Sequence, residues 1–275
     1  MATSKNITNV LYAQIIKTLG AFGDFSLFSA QTFRWMTTSL FRPHDLRLLI
    51  PQLYEIGAKS VSIVSITGLF VGMVLAVQAA TQFLNIGMGH YLGVVINLSV
   101  VRELGPVLAG VMLAGRVGGA LTAELGTMHV TEQIDALRAM GVDPIRYLVV
   151  PRFVACILLT PMLTIFADFL GVMGGYLISV YIYGVPSVQY WRFSAQSLEM
   201  YDIMSGLFKS VFFGGAIAMI SCYKGFNSQP GAEGVGRACT EAFVVSFVSI
   251  LTIDFFMAVF LKSFYEVMWG FQSIL

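Results

Sequence analysis

The sequence predicts an all-α integral membrane protein. Its predicted parts are an amphipathic interfacial N-terminal helix, five transmembrane helices, and a short helix outside the membrane between the second and third. Two observations carry this prediction. Hydrophobic residues make up 57% of the 275-residue chain and charged residues 11%, a balance that argues against a soluble domain. The longest polar run, from Glu124 to Arg152, lies between long apolar stretches.

Composition and motifs exclude several classes of protein. The formal net charge is +1 and no basic run occurs, so the chain lacks the electrostatic character of a nucleic-acid-binding protein. Three cysteines without a CxxC pair and three scattered histidines give no metal-ligand pattern. No P-loop lysine motif or Ser-His-Asp signature is present, which predicts a protein that is not an enzyme and holds no cofactor.

Residues 1–50 are amphipathic rather than transmembrane. Their apolar residues recur at helical spacing, and bases and aromatic residues follow: Ile7, Leu11, Ile15, Leu19, Phe22, Arg34, Trp35 and Arg42. The pattern predicts helices in the membrane interface, ahead of a bundle formed by residues 51–275 of the same single domain. A cleaved signal peptide is the competing interpretation. Gln14 and Lys17 interrupt the apolar patch, and no convincing cleavage site follows.

Residues 60–101 carry no charge, a stretch too long for one span and too short for two spans with a connection. The turn-like residues 85–90 divide it. We therefore predict a first span over about 60–84 and a second that runs to about Thr127. The second span contains four charged residues that would not face lipid: Arg102, Glu103, Arg116 and Glu124.

Three further spans follow the polar run. The third covers 153–183 and contains Asp168, and a loop that includes Asp202 follows it. The fourth covers about 203–223 and contains Lys209. A second polar loop over 224–237 then leads to a fifth span over about 240–264, which contains Asp254.

The polar run itself contains a short helix. Thr131 is placed to cap its start, and Gly141 with the following Asp-Pro pair is placed to end it. Ten residues make roughly 15 Å, half of a bilayer core, so this helix cannot cross the membrane. We predict that it presents an apolar stripe and a charged face to something outside the lipid: Ile134, Leu137 and Met140 on the stripe, with Glu132, Asp135 and Arg138.

Basic residues set the predicted orientation. The N-terminus, the 124–152 segment and the 224–237 loop share one side and collect most of the lysines and arginines. The opposite loops and the C-terminal end hold Arg192 and Lys262. The first side is therefore predicted to be cytoplasmic. An odd number of spans places the C-terminus outside.

Five charged residues from four spans are expected in the outer half of the membrane: Arg102, Glu103, Asp168, Lys209 and Asp254. Each could be one half of a compensating ion pair that locks helices together. As a set they favour a polar cavity or a docking surface near the outer leaflet. Arg116 and Glu124 lie deeper and are interpreted as packing or gating pairs.

Several motifs carry a family resemblance. The run RELGPVLAGVMLAGRVGGALTAELG over 102–126 resembles the MlaE (YrbE-type) permeases of ABC lipid transporters that work with MCE-domain proteins. The segments EQIDALRAMGVDP over 132–144, Pro151-Arg152 and GAEGVGR over 231–237 resemble the same family. The likeness extends from about residue 45 to the end, with the motifs in order.

The resemblance implies a homodimeric permease in a Gram-negative inner membrane. Its partners would be a cytoplasmic ATPase that binds the ATP, a hexameric periplasmic ring of MCE-domain protein and, in many systems, a small STAS-domain protein. Its substrate would be phospholipid moved between the inner and outer membranes, which maintains outer-membrane lipid asymmetry. The 131–141 helix would be the coupling helix, with its Ile134, Leu137 and Met140 stripe and its acids in a groove of the ATPase.

The outer charges would then line a lipid cavity or contact the MCE ring. We hypothesise that Arg102 and Lys209 attract the lipid phosphate or pair with the acids, while Leu69, Val77 and Phe83 face acyl chains. Two alternatives stay open. One is a proton-coupled secondary transporter that uses Asp168 or Asp254, and the other is a membrane scaffold whose charges only fix helix packing.

Overall fold

The structure is a computed structural model that describes the backbone of residues 2–39 and 43–269, and the side chains of residues 19–38 and 47–268. The described chain is helical, with no strand. Its α-helices, in order, are α1 (Ala2–Ser39), α2 (Pro43–Leu53), α3 (Val61–Asn85), α4 (Leu92–Ser99), α5 (Gly105–Leu113), α6 (Gly119–Val130), α7 (Gln133–Ala139), α8 (Val150–Leu177), α9 (Ser187–Ser197), α10 (Met200–Phe226) and α11 (Ala232–Trp269).

Five helical segments of the described chain are long and apolar enough to cross a membrane, which confirms the predicted number. They are span 1 (Arg47–Asn85), span 2 (Gly89–Val130), span 3 (Ile145–Ile182), span 4 (Met200–Phe226) and span 5 (Ala232–Met268). The chain is therefore a multi-pass membrane protein. The bundle has two ends, which we call the α7 end and the α9 end after the short helix at each.

Two predicted loops are wrong. Residues 184–202 contain the eleven-residue helix α9 and the first turn of α10, and residues 224–237 are helical except for a short connection between Phe226 and Ala232. Helix ends attract charged residues, and these ends carry Lys224 and Glu233. In the sequence, the polar residues at these helix ends therefore looked like loop residues. Gly231, with a φ of 93°, makes the turn that an L side chain would strain.

Spans 1 and 3 pack backbone to backbone. A Cβ atom added at Gly72 would lie 1.9 Å from the carbonyl oxygen of Gly171, and one at Gly68 would lie 2.5 Å from that of Ala167. Helices approach this closely only where side chains are absent, which is the usual role of small residues in membrane bundles. This contact joins span 1 to span 3, while span 4 packs on spans 2 and 3 and span 5 packs on spans 2 and 4.

Span 2 is not one regular helix. π-helical turns interrupt it at Val100–Leu104 and at Ala114–Gly118, so that α4, α5 and α6 follow one another along a single path. Each turn carries charged residues, with Arg102 and Glu103 in the first and Arg116 in the second. π-Turns leave backbone groups without their usual partners and occur often at functional sites.

Helix α1 is helical as predicted and packs on the bundle at the α7 end. The ring of Phe28 lies edge-on to Tyr223 at 5.6 Å and to Phe226 at 5.6 Å, and Phe33 contacts Phe153 at 5.5 Å. The side chains at positions 7, 11, 15 and 42, on which the interfacial prediction partly rests, lie outside the described residues. The location of α1 in the membrane interface stays a prediction.

Candidate functional site

Lys209 is the centre of a charge cluster near the α9 end. Its side chain is 2% exposed, and its ammonium nitrogen lies 2.5 Å from Oε2 of Glu103 and 3.1 Å from Oδ1 of Asp254. It also donates to the backbone oxygen of Arg102 at 3.3 Å. The ammonium group therefore donates two hydrogen bonds to span 2, to Glu103 and to the Arg102 carbonyl, and forms an ion pair with Asp254 of span 5.

The backbone acceptor exists because of Pro106. Proline has no N–H, so the carbonyl four residues earlier, that of Arg102, loses its normal helical donor. The π-turn just before Pro106 displaces the neighbouring hydrogen bonds, since Gly105 N–H donates to the carbonyl of Val100, five residues back. A buried lysine from span 4 therefore donates to an oxygen that has lost its normal helical donor.

Arg102 has a different partner, which the sequence analysis missed. Its Nε and Nη2 atoms both lie 2.6 Å from Oδ1 of Asp202, whose side chain is 1% exposed. The other carboxylate oxygen of Asp202 accepts the backbone N–H of Glu199 at 3.0 Å, as one half of a capping box at the start of α10. Acidic residues three apart before an apolar run are a capping signal, and that signal could have placed Asp202 on a helix.

A pocket of about 370 Å³ opens beside this cluster. One part of its wall is charged or carries hydroxyl groups, and another part is apolar. The lining residues are Arg102, Glu103, Tyr201, Ser205, Lys209, Phe255, Ala258, Val259, Leu261, Lys262 and Tyr265. We call this the outer pocket. Lys262 and the half-exposed side chain of Arg102, 49% accessible, are the basic groups that a ligand could reach there.

Asp168 stands apart from the ion pairs. Its carboxylate abuts Gly105, where an added Cβ atom would lie 1.6 Å from Oδ1 of Asp168. That oxygen is buried and has no hydrogen-bond partner among the described residues. The structure thus brings four of the five predicted charges close together. The fifth, Asp168, lies against Gly105, directly after the π-turn that contains Arg102 and Glu103.

The three residues predicted to face acyl chains do not line the outer pocket. Leu69, Val77 and Phe83 all lie on α3, whereas the pocket is formed by spans 2, 4 and 5. Val77 is 43% exposed on the bundle surface, and Phe83 packs against a small core near the α9 end. Within one chain, these residues and the charge cluster therefore do not form one cavity.

The deeper charges form separate contacts. Arg116 donates to the hydroxyl of Ser60 and, at 3.3 Å, to the backbone oxygen of Glu55, which joins span 2 to span 1. Glu124 lies 2.7 Å from Arg152, whose side chain is only 3% exposed, and this pair joins spans 2 and 3. Both contacts link neighbouring spans, in agreement with the packing interpretation.

Helix α7 is where predicted, but its start and its apolar stripe differ from prediction. Thr131 bonds back to Thr127 and does not cap, and Glu132, at a φ of 58°, precedes the helix. Gly141, with a φ of 76°, follows the end of the helix as predicted.

The predicted outward stripe of α7 is wrong in part. Ile134 is 1% exposed and belongs to the main core, and Leu137 packs against that core. The sequence predicts that the apolar stripe of this short polar helix faces a partner, but the chain's own bundle covers most of the stripe. The remaining outward surface contains Met140, which is 69% exposed, and the exposed side chains of Glu132, Asp135 and Arg138.

Comparison with known sequences shows which family of proteins the chain resembles. Residues 49–260 match the family described as Permease MlaE. A probable ABC transporter permease protein of Rickettsia felis is 45% identical over 250 residues, which cover 91% of this chain and 95% of that protein. The intermembrane phospholipid transport system permease protein MlaE of Haemophilus influenzae is 36% identical over 255 residues, 92% of this chain and 96% of its own length.

A plant protein is also similar. The chloroplastic protein TRIGALACTOSYLDIACYLGLYCEROL 1 of Arabidopsis thaliana is 39% identical over 214 residues, which cover 78% of this chain and 61% of the plant protein.

Proposed function

The chain belongs to the MlaE permease family, and from that premise we propose that it is the permease of an ABC transporter that moves phospholipid between the inner and outer membranes of a Gram-negative cell. Such transport would maintain the lipid asymmetry of the outer membrane. The observation that carries the proposal is the outer pocket, in which reachable basic groups and apolar side chains lie side by side. An amphiphile with an anionic headgroup needs both kinds of surface.

The pocket supports a division of roles among its bases. Lys209 is buried, donates hydrogen bonds to two oxygens of span 2 and pairs with Asp254, so it stabilises the cluster and is not available to a ligand. Lys262, together with the N–H groups of Arg102 that do not contact Asp202, is left to receive a phosphate group, and charge-assisted hydrogen bonds to such groups are the strong ones. Pockets of a few hundred cubic ångströms suit a drug-sized group, so the outer pocket would hold the headgroup end of the lipid.

Span 5 supports the proposal of a homodimer. Its most apolar stretch is only 11% buried within the chain, against 33–50% for the other four spans. Phe255 and Val259, which line the outer pocket, are 64% and 52% exposed. A second copy of span 5 packed there would enclose the pocket and bring two headgroup sites together.

We assign the α7 end to the cytoplasm, with the N-terminus, and the α9 end to the periplasm, with the C-terminus. An ATPase subunit, which binds the ATP, would contact α7 through Glu132, Asp135, Arg138 and Met140. A hexameric ring of MCE-domain protein would sit over the α9 end, and a STAS-domain protein could accompany the ATPase. The excess of bases near the α7 end supports this orientation.

Copurification with the ATPase tests the proposal. Met140→Asp together with Asp135→Lys changes the exposed surface of α7 without disturbing the core, and should reduce the amount of ATPase that copurifies in detergent. A matched control is Lys59→Glu, an exposed change near the same end of the bundle. A wild-type permease that binds no ATPase and transfers no phospholipid between liposomes would refute the assignment.

One observation favours a second candidate. The buried, unpartnered oxygen of Asp168 is what a proton-coupled secondary transporter would use as its proton site. That protein would transport without an ATPase, and Asp168→Asn would abolish its activity. In a lipid transporter driven by ATP, the same substitution should leave ATP-dependent transfer in place, because the carboxylate pairs with none of the cluster bases among the described residues.

A further inference from the structure

We propose that Trp35 and Asp143 form a positioning contact that transmits movement of the coupling helix α7 to helix α1 and from there to span 4. The inference rests on the proposed function, because α7 couples to an ATPase only if the chain is an ABC permease. The indole Nε1–H of Trp35 donates to Oδ2 of Asp143 at 2.8 Å, across 108 positions of sequence. This is the only hydrogen bond between side chains of α1 and the α7–span 3 connection among the described residues.

Asp143 is placed to receive movement from α7. The helix closes just before it, where the N–H of Val142 donates to the carbonyl of Leu137 at 3.0 Å and Gly141 takes a left-handed conformation. Oδ1 of Asp143 accepts the N–H groups of Ile145 at 2.9 Å and Arg146 at 3.4 Å, which begin span 3. One carboxylate therefore joins the end of the coupling helix, the start of span 3 and helix α1.

A second contact holds Trp35 in place. The guanidinium of Arg146 lies 5.5 Å from the centre of the indole ring, within the range of a cation–π interaction. The ring is thus held on its face by Arg146 and at its nitrogen by Asp143. Asp143 and Arg146 lie three residues apart, one just before and one just inside span 3, so Trp35 moves together with the start of span 3.

Helix α1 carries the contact to another part of the bundle. About two turns before Trp35, Phe28 packs against Tyr223 and Phe226 at the α7 end of span 4. The hydroxyl of Tyr223 also donates to the backbone oxygen of Ala21 at 3.4 Å. A rigid helix with contacts at both places passes a displacement of Asp143 to span 4, which bears Lys209 and part of the outer pocket.

Two substitutions break the contact in different ways. Trp35→Phe removes the N–H donor and keeps an aromatic ring beneath Arg146. Asp143→Asn keeps an oxygen for the N–H groups of Ile145 and Arg146, which turns the amide NH₂ toward the indole N–H, so that two donors face each other. Since each variant breaks the same bond, the double variant should be no worse than the worse single variant.

The experiment measures phospholipid transferred per ATP hydrolysed, with the permease reconstituted in liposomes together with its copurified partner subunits. Trp35→Phe and Asp143→Asn should each lower this ratio by about fivefold, the scale of one lost hydrogen bond, while the ATPase rate stays within about twofold of wild type. Trp191→Phe is the control, because that indole stacks on Tyr176 at 5.3 Å near the α9 end, far from α7.

An unchanged ratio in Trp35→Phe overturns the inference, even if Asp143→Asn fails to fold. Additive losses in the double variant also overturn it, because independent structural defects would add. A purely structural role would lower the yield and the ATPase rate together and leave the ratio constant. If the wild type shows neither ATPase activity nor transfer, the proposed function itself has failed. If the wild type transfers lipid and the Trp35→Phe variant transfers it equally well, only the inference about Trp35 has failed.

Discussion

The Nζ atom of Lys209 in span 4 lies 3.1 Å from Oδ1 of Asp254 in span 5. Lys209 is almost fully buried, and Asp254 is 19% exposed. Their contact joins a span whose most apolar stretch is half buried to the span that is least covered. Because Glu103 of span 2 shares the same ammonium group, one lysine ties three spans together beside the outer pocket.

The single variant Lys209→Met should destabilise the protein. The triple variant, which adds Glu103→Gln and Asp254→Asn, should recover much of the lost stability. The single change leaves two carboxylates without their cation, which costs about 3 kcal/mol, at the low end for a broken buried pair because Glu103 is 46% exposed. The triple change removes every charge of the group. The midpoint of thermal unfolding in detergent measures both. Equal midpoints for the single and triple variants would contradict a role in charge compensation.

Lys262→Gln should reduce phospholipid binding by about tenfold, as expected for the loss of one charge-assisted hydrogen bond, without loss of assembly. Lys262 lines the outer pocket, is exposed, and takes part in no described ion pair. Mass spectrometry of the lipid that copurifies with the permease gives the readout. Lys59→Gln removes an exposed lysine at the opposite end of the bundle and should retain wild-type lipid. Equal lipid in both variants would remove Lys262 from the headgroup site.

Gly72→Ala should prevent normal packing of spans 1 and 3. The new methyl group would lie 1.9 Å from a backbone oxygen of Gly171, and a backbone cannot move aside as a flexible side chain can. Gly119→Ala is the matched control, since nothing lies within 4 Å of its added Cβ and alanine is favoured over glycine in a helix by about 0.5–1 kcal/mol. The yield of monodisperse protein by size-exclusion chromatography separates them. Normal yield from Gly72→Ala would show that this interface is looser than described.

Ile134→Ala should lower stability by about 2–4 kcal/mol, because the side chain is 1% exposed in the main core. Met140→Ala should leave stability unchanged, because its side chain is 69% exposed. Thermal unfolding of the permease alone, without the ATPase, distinguishes the two. If both variants unfold at the wild-type temperature, Ile134 faces a partner after all.

Tyr190→Phe should cost about 1–3 kcal/mol at neutral pH, since the buried amide oxygen of Asn97 loses its donor, 3.1 Å away. Burial raises the pKa of the Tyr190 phenol above its ordinary value. A raised pKa means that the contribution to stability is complete below the unfolded-state pKa, about 10, and decreases as the pH rises above it. Unfolding midpoints between pH 8 and 11 should therefore fall more steeply for wild type than for the variant. Parallel curves would contradict this.

Much of the architecture could be predicted because hydropathy reports which segments leave water. The five spans, the break at residues 85–90 and the short helix before Gly141 all follow from runs of apolar residues and from the turn residues between them. The errors share a cause. Polar residues at the ends of α9, α10 and α11 resembled loops, and the apolar Ile134 resembled a docking residue, because hydropathy does not distinguish burial by a partner from burial by the chain itself.

The apolar runs are enough to predict a helical membrane protein with charges in its spans, since a long apolar run has no stable alternative to a helix in lipid. The sequence also predicted that five of these charges share one half of the membrane. The pairing of the charges could be read from the folded bundle alone: Arg102 pairs with Asp202, and Lys209 contacts Glu103, Asp254 and the carbonyl that lost its helical donor to Pro106. These pairs depend on distances of about 3 Å between residues that are 45 to 107 positions apart in the sequence, and no local pattern encodes such distances.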